Sequence, residues 1–145
     1  MPATLLRLAP DRAAAELAAE AGPEWTRRFL DALEREVRVT PLQRLCATWD
    51  LSGAAAARLF GVSRQAFAKW LDAGPPPERA AAVADLDAAT ELLMRHLKRE
   101  RIPAVVRRPA SRLHGRSLLE LAQEGATSEV REAVREMFDL RRVQP

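Results

Sequence analysis

Residues 52–71 read SGAAAARLFGVSRQAFAKWL, and the reading of this stretch decides the fold. It has the pattern of two short helices joined at a glycine, a helix-turn-helix. Ser52 offers a hydroxyl to the free backbone N–H groups that open the first helix. Ala56, Leu59 and Phe60 give that helix an apolar side, and Ala57 is small where a second helix must cross. Gly61 can take the left-handed conformation that ends it, which a residue with a Cβ resists. Val62 plugs the corner and Ser63 caps the second helix. There Ala66, Phe67, Trp70 and Leu71 recur at helical spacing as an inward stripe.

The outward face then carries Arg64, Gln65, Ala68 and Lys69. A recognition helix is apolar behind and presents donors and small groups near its N-terminus to a DNA groove. Ser63, Arg64, Gln65, Ala68 and Lys69 are therefore the candidate DNA-binding residues. Arginine suits a guanine edge and glutamine an adenine edge; Lys69 suits a phosphate equally well. The competing reading is an ordinary helical corner that touches no DNA.

Outward from this corner, Thr40-Pro41 opens a supporting helix, with Leu42, Leu45, Cys46 and Trp49 on its apolar face. Gly74-Pro75-Pro76-Pro77 breaks the chain on the other side. The expected organisation is an N-terminal helical extension at 1–38, a helix-turn-helix domain at 39–74 and a C-terminal domain at 75–145. In the extension, Asp11 caps a helix that runs to about Ala21, and a second helix carries Trp25, Phe29 and Leu33 on one side. A dimer contact and a lid over the later core both suit that pair.

Beyond the prolines, Glu78 to Arg101 reads as one long helix with Ala82, Leu86, Ala89, Leu93 and Leu97 on one face, ended by Ile102-Pro103. Its acids come early and its bases late, which complements the helix dipole. Residues 101–116, RIPAVVRRPASRLHGR, hold arginines at 101, 107, 108, 112 and 116 and no acid, and Pro103 and Pro109 favour an extended or short-turn path. A short helix comes next, at Ser117 to Gln123. The last helix is capped by Thr127 or Ser128 and striped by Val130, Val134, Met137 and Phe138, and it leads to a basic tail, Arg141-Arg142-Val143-Gln144-Pro145.

Composition agrees with an all-α class. The 145 residues suffice for one domain or two small ones. Isoleucine occurs only at 102 and tyrosine not at all, so long strands are not expected. Lysine occurs only at 69 and 98, which makes 21 of the 23 basic residues arginine, although the net charge is only +3. A G+C-rich genome accounts for most of that excess; the remainder suits phosphates and carboxylates. Cys46 is the one cysteine, which excludes an internal disulfide and a thiolate metal cage. The opening MPATLLRLAPDR is too short an apolar run for a signal peptide, and no segment approaches the roughly 18 apolar residues of a membrane span. A reducing bacterial cytoplasm is the expected location.

Residues 101–134, RIPAVVRRPASRLHGRSLLELAQEGATSEVREAV, resemble the C-terminal domain of Xre/MbcA/ParS-type antitoxins. The shared elements, in order, are a proline-containing segment, a turn at Leu113 to Gly115, a short helix with Leu118 and Leu119, a glycine near its end, and a last helix opening on Glu129-Val130. The helix-turn-helix in front, with Trp70 and a Gly-Pro hinge, fits the same order, so the resemblance covers roughly 40–145. It departs at Ser117, where many members carry proline.

That resemblance implies an antitoxin that represses its own operon as a homodimer and silences a RES-type, NAD-degrading toxin by direct binding. A pocket that grips a pyrophosphate should attract arginines, which makes Arg107, Arg108, Arg112, Arg116, Arg141 and Arg142 the candidate toxin-binding residues. The alternative for these side chains is a solvated face, or pairing with Glu120, Glu124 and Glu136.

An enzyme is not expected. The histidines, His96 and His114, have no cysteine or clear carboxylate partner, the six glycines are scattered singly, and no spacing suits a metal site. No cofactor is expected either. The rival functions are a stand-alone helix-turn-helix regulator and an adaptor that has lost DNA binding.

Overall fold

The computed structural model describes residues 5–36 and 39–143, and it is all-α: no strand occurs among the described residues. The chain divides into two units, Met1–Arg38 and Val39–Pro145.

In the first unit, α1 (Pro10–Ala21) and α2 (Pro23–Glu36) form a hairpin. α1 opens on Pro10 and not on a side-chain cap from Asp11; Ala9 precedes it without a capping side chain. A proline needs no partner for the amide it lacks and its fixed φ is already helical, so it suits the first turn. Gly22, at φ 80°, turns the chain between the helices. α1 contributes no buried residue.

The second unit is built around α6 (Ala80–His96), which buries Val83, Leu86, Ala89, Thr90 and Leu93. On one side packs α9 (Thr127–Val143), through Val130, Val134 and Phe138. On another packs α3 (Pro41–Trp49), through Leu42, Leu45 and Trp49. Each fully buried Leu or Val of this kind stabilises the fold by about 1.5–3 kcal/mol. The Trp49 indole N–H, buried with its ring, donates to Thr90 Oγ1 at 3.0 Å, and Thr90 in turn donates to the Leu86 carbonyl at 2.7 Å. Ion pairs edge the same helix: Arg44 to Asp87 and Glu91 at 3.4 and 3.3 Å, and Arg131 to Asp85 at 3.0 Å. At such exposure each contributes at most about 1 kcal/mol.

α4 (Gly53–Phe60), α5 (Arg64–Ala73), α7 (Ile102–Arg107) and α8 (Leu118–Gln123) complete the unit. Buried residues of α3 to α9 join in one cluster that runs from Leu42 to Phe138. Gly74–Pro77 therefore turns the chain without dividing the core.

Three local expectations are corrected. The helix expected over 78–101 stops at His96, because Leu97 leaves helical space (φ −122°, ψ 150°). Ile102-Pro103 does not end a helix; it begins α7, with proline in the first turn where its missing N–H costs nothing. Where an extended or short-turn path is expected at 101–116, the first part is thus a helix through Arg107, placed so that Ile102 and Val106, one turn apart, both reach the core. Finally, the 3₁₀ turn at Ser111–Leu113 and left-handed His114 (φ 56°) close a tight loop, pinned by an Ala110–Arg116 bridge.

The C-terminus differs as well. Thr127 lies inside α9 and spends its hydroxyl on Asp85 at 3.2 Å, while Ala126 accepts the first helical bond from Val130. The basic stretch expected as a tail is helical through Val143, whereas Gln144 and Pro145 lie outside the described residues.

Candidate nucleic-acid interface

Local chemistry sets the helix-turn-helix. The amide of Ala55 donates to Ser52 Oγ and that of Ala66 to Ser63 Oγ, each at 3.1 Å, so both serines cap as their positions require. Gly61 adopts φ 67°, ψ 33°, and the next amide, that of Val62, closes back on the Ala57 carbonyl at 2.9 Å. Upstream, Thr40 and Gln43 form a reciprocal capping box that starts α3.

An aromatic cluster backs α5. Phe67 is buried, with its ring centroid 6.0 Å from that of Phe60, and Trp70 meets Phe60 edge-on at 5.6 Å. Arg79, beyond the proline turn, lays its guanidinium 5.7 Å from the Trp70 ring and donates to the Phe60 carbonyl at 2.8 Å. It satisfies an end-of-helix carbonyl of α4 and walls in the indole with one side chain.

With Phe67 buried and Ala66, Trp70 and Leu71 half-buried, Ser63, Arg64, Gln65, Ala68 and Lys69 are all exposed. The structure therefore brings the five candidate DNA-binding residues together on one outward face of a firmly backed helix. The first two turns of α5 carry no carboxylate; Asp72, near its far end, is the first acid. Arg58, in the last turn of α4, is also exposed, a cation that the sequence reading did not single out. Its basic type and outward position after Ala57 were the available signal.

The candidate toxin-binding arginines are not equivalent. Arg107 is committed within the fold: Nη1 donates to the carbonyls of Trp49 (2.7 Å) and Pro103 (2.9 Å), and Nη2 to that of Asp50 (2.9 Å). Arg116 is committed too, donating to the Leu113 carbonyl and pairing with Glu124. Arg108 and Arg112 are exposed. Arg141 and Arg142 lie on the last turns of α9, and their side chains are outside the described residues.

Cys46 is half-buried, and burial pushes its thiol above the usual range. Among the described residues, no group of three or more His, Cys, Asp or Glu could hold a metal ion, and no helix is long and apolar enough to cross a membrane.

Comparison with protein-family models, with curated proteins and with solved structures finds no match for this chain.

Proposed function

We propose that this protein is a helix-turn-helix repressor that acts as the antitoxin of a type II toxin-antitoxin pair, binding operator DNA as a homodimer and silencing a RES-type toxin. The observation that carries the DNA-binding half is the outward face of α5. Donors on Arg64, Gln65 and Lys69 stand beside small Ala68 and capping Ser63, with nothing of the same unit covering them. Such a face suits a major groove, where arginine and glutamine read base edges and lysine meets phosphate. Two copies about one helical turn of DNA apart would gain affinity and match a palindromic site.

The antitoxin half rests on the resemblance of residues 101–134, and on Arg108 and Arg112, which are exposed at the surface. A stand-alone regulator is the second reading. It is favoured by the internal commitments of Arg107 and Arg116, which remove two of the six arginines assigned to the toxin.

One pair of measurements tests both. The protein should retard its own promoter DNA in an electrophoretic shift that weakens as salt rises. It should also co-purify with the product of the adjacent gene. Promoter binding without co-purification selects the stand-alone regulator, and failure to bind promoter DNA at low salt removes the repressor.

A further inference from the structure

The N-terminal hairpin has a face that it cannot cover itself. Trp25, Leu30 and Leu33 are 43, 52 and 43% exposed, while Thr26, Phe29 and Ala32, on the strip between them, are half-buried. Trp25 and Phe29 stack at 5.1 Å between centroids, so the aromatic surface is pre-formed. A two-helix unit bounded at Arg38, with no buried residue in its first helix, has too little core to be stable alone.

The charges on α2 say what fits there. Arg27 lies three residues before Leu30 and Glu34 four residues after it. At 3.6 residues per turn, both fall on the same flank of the helix, beside the Leu30–Leu33 edge. A two-fold axis through Leu30 runs a second α2 antiparallel to the first and sets like flank against like flank. Arg27 then meets the partner's Glu34, and Glu34 meets the partner's Arg27, on either side of a Leu30–Leu30 contact. A parallel two-fold pair would set this flank against the opposite flank of the partner, so neither Arg27 nor Glu34 would meet its complement.

We infer that this face is an isologous interface between two copies of the chain, with α2 against α2 antiparallel about Leu30 and the two hairpins closing a four-helix bundle. This deepens the homodimeric reading proposed above by assigning its contact surface. It is tested without DNA, so that failure of the interface and failure of the repressor can be told apart.

The test uses the full chain, followed by sedimentation across a concentration series. The unmodified protein should pass from monomer to dimer. Arg27→Glu places acid against acid and Glu34→Arg places base against base, so each variant alone should dissociate at least about tenfold more readily. An equimolar mixture of the two restores opposite charges at both symmetric positions, and should dimerise nearly as well as the unmodified protein. Leu30→Asp should be monomeric, with any loss of helical circular dichroism no larger than the share of the two hairpin helices, α1 and α2. A chain that is monomeric at every concentration would overturn the proposal, as would a mixture no better than either variant, or a dimer that survives Leu30→Asp.

Discussion

Arg107 Nη1 donates to the carbonyl of Trp49 across 2.7 Å, joining the end of α7 to the end of α3. Its second nitrogen holds the carbonyl of Asp50, which sits in left-handed space at φ 56°. Aspartate tolerates that conformation better than most residues, yet at a cost. The guanidinium fork thus satisfies two carbonyls at the exit of α3, where the chain turns into the helix-turn-helix.

Arg107→Ala should therefore lower stability by about 1–2 kcal/mol, since a charged donor is lost from two carbonyls outside its own helix. Arg107→Lys should recover only part of it, because an ammonium cannot reproduce the fork. Urea denaturation gives both values; an unchanged midpoint in the alanine variant would show that the clamp contributes nothing.

On α5, Arg64→Ala and Lys69→Ala should separate base reading from phosphate contact. Both side chains are exposed, so each variant should stay within about 0.5 kcal/mol of native stability. Arg64→Ala should cost about 1–3 kcal/mol of operator binding and relax discrimination at one base pair. Lys69→Ala should weaken all sequences alike and flatten the salt dependence by about one unit of slope. Titrations against operator and scrambled duplexes at several salt concentrations distinguish the two.

Thr90→Val keeps the shape of the side chain and removes its hydroxyl. The Trp49 indole N–H would then be buried without an acceptor. The expected loss is about 1–3 kcal/mol, the cost of one desolvated donor, read from the thermal or urea midpoint. A variant as stable as the parent would mean that the indole finds another acceptor.

The Cys46 thiol is raised by burial, so its protonated form is favoured in the folded chain. Its alkylation by iodoacetamide should be slower than that of a free thiol at neutral pH, and should accelerate only above the usual thiol range. The stability linked to it is fully present below the unfolded thiol pKa and is lost as pH rises through the folded one. A pH–rate profile centred on the ordinary thiol value would contradict this.

The features legible in the sequence were those that act locally. Ser52, Ser63 and Thr40 cap helices through bonds three residues away, and Gly61 needs only its own freedom, so the helix starts and the turn within residues 40–71 read correctly. The stripe of Leu86, Ala89 and Leu93 was legible from its period. Residues 97–107 were not, because a proline both ends helices and begins them, and only the demand of Ile102 and Val106 for the core decides which. The arginines misled for a related reason. Arg79 and Arg107 bond to carbonyls 19 and 58 residues away, and a basic side chain carries no mark in the sequence that tells a clamp from an open surface. Charge order alone therefore does not separate Arg107 and Arg116, which bond within the fold, from Arg108 and Arg112, which are exposed.

The grip of Arg79 on the Phe60 carbonyl and the Trp70 ring bears on how the proposed DNA-reading helix could be used. A fragment ending at the proline turn would keep every residue proposed to face a duplex, yet lose the side chain that ties the end of α4 to the Trp70 ring behind them. If α5 reads DNA as proposed, it is consequently not a portable cassette: grafted without Arg79, it would arrive with its letters intact and its backing undone.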